Sequence, residues 1–186
     1  LTMAPASKSD VDAMYQSYRA KLDPKLPHVP PKELWEAMEE RKGGAGRPLW
    51  VVDVRMPEEQ GVSMLPGPHV VTKEALLEKI EAGEVGKDDR IVAYCTVGLR
   101  AGWFAEELQR KGFDASNLEG SILGWAHADL PLVNPESQQP VQDVHTFGKK
   151  WALLPQGYRA VYFDKTPWLS AAWGFAKDKF RNFIGK

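Results

Sequence analysis

Cys95, the single cysteine of this 186-residue chain, lies in a segment whose residue types suit nucleophilic chemistry. It follows an apolar run at residues 91–94 and precedes a helical pattern at residues 101–111. A thiol at a strand-to-helix turn sits where backbone N–H groups and the helix dipole favour an anion, and the thiolate is the reactive form. Gly98 lets such a turn curl, and Arg100 adds a fixed positive charge. A lone cysteine is often just a small buried hydrophobe, but this turn favours an anion-binding loop with Cys95 as nucleophile.

The composition narrows the classes of function. The net charge of −1 and the pI near 6.5 give no basic surface for nucleic acid, so no nucleic-acid partner is expected. One cysteine excludes an intrachain disulfide framework and a cysteine-based structural zinc site. The four histidines show no ligand spacing, so we expect no metal and no other cofactor. No apolar stretch approaches the length of a membrane span. A lone cysteine fits a reducing compartment, and both the cytoplasm and an organelle interior remain open.

Alternating apolar runs and helical patterns predict an α/β fold with a mainly parallel central sheet. We divide the chain into an N-terminal extension with a short helix capped by Asp10 (1–29), a central domain (30–133) and a C-terminal extension (134–186). No regular periodicity appears from residue 134 to residue 166, and an amphipathic helix is predicted to end the chain. The strands are predicted at residues 49–54, 69–71, 90–94 and 115–118, with helices between them.

Five motifs in a fixed order resemble the rhodanese domain of sulfurtransferases. They are Asp53-Val54-Arg55, Pro57-Glu58-Glu59, Leu65-Pro66-Gly67, the loop Cys95-Thr96-Val97-Gly98-Leu99-Arg100, and residues 117–125 followed by Leu130-Pro131-Leu132-Val133. The resemblance implies a three-layer, doubly wound rhodanese-like fold with the loop at the carboxyl end of the central strand. It also implies that Cys95 carries sulfane sulfur as a persulfide.

Loop length separates this family from its fold relatives. From Cys95 through Arg100 the loop has six residues, the sulfurtransferase size. The similar cell-cycle phosphatases and arsenate reductases have a loop one residue longer, which disfavours phosphatase or arsenate reductase activity here. Thr96 stands where many thiosulfate-using members carry a second basic residue, so thiosulfate is predicted to be a weak donor. Ala101 replaces a common serine, and Met64 and Pro68 also depart from the family pattern.

The resemblance, together with the loop argument, assigns roles to individual residues. Arg100 has two interpretations, since it either binds the donor or turns onto a carboxylate such as Asp53 to brace the loop, and bracing is favoured. Arg55 is expected to form a structural ion pair with Glu58 or Glu59. The assigned residues are Cys95 and Arg100 as catalytic, Thr96, Val97, Gly98, Leu99 and Ala101 as substrate-binding through their N–H groups, and Asp53 and Arg55 as structural support.

The predicted activity is sulfur transfer of the thiosulfate:cyanide or thiosulfate:thiol type through a Cys95 persulfide. The expected partners are a small-molecule donor, thiosulfate or a persulfide, and an acceptor that is cyanide or a thiol such as glutathione or a thioredoxin-like protein. The alternative function is a rhodanese-like interaction or regulatory module that uses the two extensions.

An apolar stripe including Trp168, Trp173 and Phe180 predicts a C-terminal helix over residues 167–186. We expect this helix to dock on the protein itself. Contact with a membrane surface or with a protein partner is the alternative.

Overall fold

Five parallel strands form the central sheet in the part of the chain that the structure, a computed structural model, describes, residues 5–44 and 46–164. Their spatial order is β1-β5-β4-β2-β3, with β4 in the centre. The predicted α/β class with a mainly parallel sheet is therefore confirmed. The strands are β1 (His28–Val29), β2 (Leu49–Asp53), β3 (Val70–Thr72), β4 (Arg90–Tyr94) and β5 (Asp114–Leu118).

Helices cover both faces of this sheet because the strands are apolar on both sides. Val51 and Val52 are adjacent and fully buried, and they belong to two different hydrophobic clusters, one on each face. The result is the three-layer arrangement that the resemblance implied. Three helices contribute to the cluster that contains Val51: α1 (Lys8–Arg19), α2 (Pro31–Lys42) and α6 (Ser121–His127). Two helices contribute to the cluster that contains Val52: α4 (Lys73–Glu81) and α5 (Leu99–Arg110). The single helical turn α3 (Pro57–Gln60) follows β2.

Capping residues explain where two of these helices begin. Thr72 caps α4 as predicted, since its Oγ1 accepts a hydrogen bond from the Ala75 N–H at 3.2 Å. For α1 the predicted cap, Asp10, is wrong. Ser7 is the N-cap, and Asp10 is the third helical residue of a capping box in which its carboxylate accepts from the Ser7 N–H at 2.9 Å. The helix therefore starts earlier in the sequence than expected.

The C-terminal extension contains short elements that the sequence did not predict. β6 (Asp143–His145) and β7 (Arg159–Val161) form a separate parallel pair, and a 3-10 turn covers Lys149–Trp151. Three-residue strands are too short to show a periodic pattern, which is why this segment appeared irregular. The predicted C-terminal helix at 167–186 lies outside the described residues. Among the described residues, no helix has the length and apolar character needed to cross a membrane.

The strand order determines where Cys95 lies in the fold. From β2 the chain continues to β3 on one side, whereas β4 leads to β5 on the other side. In open α/β sheets, the carboxyl ends of strands at such a reversal border a crevice. Asp53 at the end of β2 pairs in register with Tyr94 at the end of β4. Cys95, the next residue after Tyr94, therefore lies at this reversal.

Candidate active site

The Cys95 sulfur lies at the base of a tight turn between β4 and α5. Gly98 is the N-cap of α5 and has a φ of +116°, a left-handed conformation that glycine adopts without strain. In this conformation the Gly98 N–H donates a hydrogen bond to Cys95 Sγ at 3.2 Å. The Asn117 side-chain amide donates to the Gly98 carbonyl at 2.9 Å and fixes the turn from β5. The Gly98 N–H dipole therefore points at the sulfur, the orientation found in loops that bind anions.

Ser121 supports the same sulfur from the start of α6, and sequence reasoning missed this residue. Its hydroxyl accepts a hydrogen bond from the Cys95 N–H at 3.0 Å and lies 3.9 Å from Sγ, to which it donates. Ser121 is fully buried and has a φ of +50°, in the left-handed region that is costly for residues other than glycine. The available signal was its position inside the motif at residues 117–125.

The first turn of α6 also holds the backbone of the loop. The Ile122 N–H donates to the Cys95 carbonyl at 3.2 Å, and the Leu123 N–H donates to the Thr96 carbonyl at 3.3 Å. These bonds use N–H groups that have no partner within their own helix. The Cys95 loop is thus fixed from both sides, by α6 and by the start of α5.

Arg100 braces the loop through a buried carboxylate. Its guanidinium makes two hydrogen bonds to Glu59, at 2.6 and 2.8 Å, and the Glu59 side chain is fully buried. Arg100 thus turns onto a carboxylate, which was the favoured interpretation. The carboxylate is Glu59 of α3 and not Asp53, the example that the sequence suggested, because Asp53 is paired with Arg55. Burial raises the pKa of Glu59, but the hydrogen bond and charge of Arg100 outweigh burial and hold that pKa below its ordinary value. Burial lowers the pKa of Arg100, yet the Glu59 hydrogen bond and charge keep it above its ordinary value.

Thr96 belongs to this ion-pair network. Its hydroxyl accepts from Arg100 at 2.9 Å and donates to Glu59 at 3.2 Å, and the residue is 4% exposed. A basic side chain at position 96 would displace this hydroxyl from a buried site between two charged groups. The buried hydrogen bonds of Thr96 therefore disfavour a second cationic side chain in the loop. Val97 and Gly98 are buried, Leu99 is partly exposed, and Ala101 is fully buried at the start of α5.

Arg55 and Asp53 form a second buried ion pair beneath the site. Arg55 Nη2 lies 2.7 Å from Asp53 Oδ2, and both side chains are inaccessible to solvent. The expected pairing of Arg55 with Glu58 or Glu59 is wrong, because Arg55 folds back onto the end of β2 while Glu59 faces Arg100. Burial lowers the pKa of Arg55, but the Asp53 charge outweighs burial and raises it. Arg55 also donates to the Ser63 carbonyl at 2.6 Å, which fixes the turn after α3.

The four histidines do not lie together in one cluster. His127 Nε2 lies 2.9 Å from the Leu153 carbonyl and links α6 to the C-terminal extension. His145 is buried in β6, where burial, more than the nearby charges, lowers its pKa. Within residues 5–44 and 46–164, no group of His, Cys, Asp or Glu side chains is arranged to hold a metal ion.

Comparison with known proteins defines the family. Residues 30–128, just over half of the chain, match the family described as Rhodanese-like domain. The chain belongs to the rhodanese family.

Three relatives show the range of proteins in which this rhodanese domain occurs. A sulfurtransferase of Allochromatium vinosum is 34% identical over 46% of this chain and 79% of its own length. YtwF of Bacillus subtilis, provisionally named a sulfurtransferase, is 31% identical over 54% of this chain and 95% of its own length. A tRNA uridine(34) hydroxylase of Xanthomonas oryzae pv. oryzae is 30% identical over 63% of this chain, but only 49% of that protein is covered.

A solved structure supports the fold independently. The thiosulfate sulfurtransferase of Pseudomonas aeruginosa matches 70% of this rhodanese chain and 24% of its own chain, with a TM-score of 0.53 and 15% identity. At that identity the likeness concerns the fold alone. The relatives named as sulfurtransferases support a rhodanese-type sulfurtransferase in general terms.

Proposed function

We propose that this protein transfers sulfane sulfur from a small-molecule donor to a thiol or to cyanide, with Cys95 carrying the sulfur as a persulfide. The observation that carries the proposal is the contact between the Gly98 N–H and Cys95 Sγ at 3.2 Å. Because Cys95 is the only cysteine, the chain has no second thiol to resolve a persulfide, and the acceptor comes from another molecule.

In the first transfer, the Cys95 thiolate attacks the outer, sulfane sulfur of the donor. A new S–S bond forms at Sγ while the S–S bond of the donor breaks. The electron pair of the broken bond leaves with the remainder of the donor, as sulfite from thiosulfate or as a thiolate from a persulfide. Negative charge passes onto the outer sulfur of the Cys95 persulfide, and the Gly98 N–H, which points into the turn, lies close enough to stabilise that charge.

In the second transfer, the acceptor attacks the outer sulfur of the Cys95 persulfide. An acceptor thiolate leaves as a persulfide, and cyanide leaves as thiocyanate. The S–S bond at Sγ breaks, and its electron pair returns to Cys95 as the thiolate. The hydrogen bonds from Gly98 and Ser121 support the sulfur in this leaving role.

The charges around the loop bear on the choice of donor. Arg100 is paired with Glu59 through two hydrogen bonds, so its positive charge is largely neutralised. Thr96 adds no charge of its own. The loop therefore offers little net positive charge to attract a dianionic donor such as thiosulfate. A persulfide carries less negative charge, so its binding depends less on such an attraction. We infer that a low-molecular-weight persulfide is a better donor than thiosulfate.

Steady-state kinetics with two donors test this function. Purified full-length protein is assayed with glutathione persulfide and with thiosulfate, using cyanide as the common acceptor and thiocyanate as the product. We expect a higher kcat/KM with glutathione persulfide, and loss of activity with both donors in Cys95→Ser, because a hydroxyl is a much weaker nucleophile at neutral pH. A folded Cys95→Ser protein with wild-type turnover would refute the proposed function. Equal kcat/KM values for the two donors would refute the donor preference.

A further inference from the structure

The Cys95 loop is almost completely covered. Cys95, Thr96 and Val97 are 2%, 4% and 3% exposed, respectively. Two aromatic side chains that contact the loop, Tyr15 and Phe147, lie outside residues 30–128, the part of the chain that matches the family. One part of the cover belongs to the N-terminal extension and another to the C-terminal extension.

Tyr15 of α1 covers the loop at Gly98. A side-chain carbon placed on Gly98 would lie 2.9 Å from Tyr15 Cε2 and 3.1 Å from its Cδ2. The ring therefore lies closer to Gly98 than a residue with a side chain would allow. The ring is held in place, because its hydroxyl lies 2.5 Å from His28 Nδ1 and the residue is 3% exposed. The Gly98 side of the loop is therefore sealed by a fixed aromatic ring.

Phe147 covers the loop at Arg100. The centroid of its ring lies 4.9 Å from the guanidinium carbon, a cation–π contact, and Phe147 is 8% exposed. Its φ of +65° is unusual for a bulky residue, and its N–H donates to His145 Nδ1 at 3.1 Å. Arg100 retains 17% of its side-chain exposure, so solvent reaches the loop on this side. Phe147 thus borders the side on which the loop remains partly open.

The two parts of the cover are connected to each other. Trp151 packs edge-to-face on Phe147 with ring centroids 5.5 Å apart, and its indole N–H donates to the Tyr18 hydroxyl of α1 at 2.9 Å. The Ala6 N–H donates to the Leu154 carbonyl at 3.1 Å. The extensions therefore form one continuous layer, which we call the aromatic cover and define as Tyr15, Tyr18, Phe147 and Trp151.

We propose that Phe147 and Tyr15 are specificity-determining residues that restrict access to Cys95 to compact sulfur donors and acceptors. This inference rests on the proposed function. A sulfane sulfur reaches Sγ by passing beside Phe147 at the Arg100 edge, because Tyr15 seals the Gly98 side. A low-molecular-weight persulfide fits this route, whereas a persulfide carried on the surface of a folded protein does not. The cover thus selects small-molecule partners over protein partners.

Thiol labelling tests access to Cys95 without requiring sulfur transfer. Because Cys95 is the only cysteine, the rate of labelling of the full-length protein reports on this residue alone. Iodoacetamide serves as the compact reagent and a maleimide coupled to a polyethylene glycol chain as the bulky one. Each rate is divided by the rate of the same reagent with free glutathione, so that intrinsic reactivity cancels.

Phe147→Gly removes the ring, and glycine accepts the positive φ of this position. We expect the ratio of the two normalised labelling rates, bulky reagent over compact reagent, to rise at least about tenfold in this variant. Discrimination of this size is what a tight apolar pocket can supply. Phe147→Leu, which keeps an apolar side chain, should give a smaller rise. Tyr162→Ala removes a 39%-exposed aromatic side chain from the same extension and should leave the ratio unchanged.

The inference is overturned if Phe147→Gly and Phe147→Leu keep the wild-type ratio. It is also overturned if both reagents accelerate equally, since general loosening of the fold would produce that result. A rise in the ratio for a protein that shows no sulfur transfer with any donor would support the cover and refute the proposed function. The two claims can therefore fail separately.

Discussion

At the residue scale, the sulfur chemistry proposed for Cys95 relies on two polar neighbours of its sulfur. The Gly98 N–H and the Ser121 hydroxyl both donate to Sγ. The Ser121 hydroxyl additionally accepts from the Cys95 N–H, so one side chain holds the backbone and the sulfur together. The left-handed φ of Ser121 is the conformational cost of placing the hydroxyl there.

Ser121→Ala should lower both stability and kcat. The change leaves the Cys95 N–H buried without its partner, which costs about 1–3 kcal/mol of unfolding free energy. It also removes one of the donors that support the sulfur. Ser121→Gly loses the same hydroxyl but relaxes the positive φ, so it should be less destabilised than Ser121→Ala. Urea denaturation and steady-state kinetics on both variants measure these effects.

Ser116→Ala is the matched control for this experiment. Ser116 is a buried serine whose hydroxyl donates to the Ile91 carbonyl at 3.3 Å within the sheet, away from the sulfur. Its replacement should reduce stability while leaving kcat unchanged. Wild-type kcat in Ser121→Ala would show that the hydroxyl plays no part in sulfur transfer.

Part of the site could be predicted from neighbouring residues alone. Cys95, Gly98 and Arg100 lie within one short segment, so a local pattern was enough to place them in one turn. The partner of Arg100 was not predictable in the same way, because Glu59 is 41 positions away and its contact depends on how α3 packs against α5. Ser121 looked like an ordinary residue at a helix start, and only the fold directs its hydroxyl toward Cys95.

At the scale of elements, α1 and β1 are joined by a hydrogen bond between Tyr15 and His28. The Tyr15 hydroxyl lies 2.5 Å from His28 Nδ1, and the tautomer of the ring decides which of the two groups is the donor. Burial, with a smaller contribution from the Arg19 charge, lowers the pKa of His28 to about 4. An unfolded histidine has a pKa of about 6.5. Between these values the unfolded chain binds more protons at this site, so stability falls as the pH decreases from 6.5 toward 4.

His28→Gln should reduce this pH dependence. The variant should melt below the wild type at pH 7.5, because it loses the hydrogen bond between the Tyr15 hydroxyl and the His28 ring. The difference between the two melting temperatures should narrow as the pH decreases toward 4.5, since only the wild type loses stability by protonating residue 28. Burial also lowers the pKa values of His69 and His145, so both proteins keep some acid sensitivity. A constant difference across this pH range, measured by differential scanning calorimetry, would contradict the assignment.

The predictability of elements followed their length and periodicity. The β4 strand and the α5 helix that flank Cys95 have strong apolar patterns, and their predicted positions were close to those in the structure. β1 has two residues within a proline-rich connector, and its pairing with β5 comes from long-range contacts that no local pattern encodes. β6 and β7 have three residues each, too few to show a periodic pattern, and they were not predicted for that reason.

At the scale of the whole molecule, a rhodanese body carries two segments, one on each side of residues 30–128, that cover its Cys95 turn. The motifs at residues 53–133 were sufficient to predict the body, because each consists of adjacent residues. The aromatic cover could not be predicted, since Tyr15 and Phe147 meet the loop only after the whole chain has folded. The docked C-terminal helix at 167–186 stays a prediction.

Mass spectrometry of the peptide that contains Cys95 tests the central claim most directly. The full-length protein is incubated with glutathione persulfide, freed of excess donor, alkylated and digested, and Cys95→Ser is treated in parallel. We predict that the Cys95 peptide gains the mass of one sulfur atom and loses it again when cyanide or a thiol is added. A folded, unmodified protein whose Cys95 gains no sulfur from glutathione persulfide, or an equal gain in Cys95→Ser, would contradict a Cys95 persulfide.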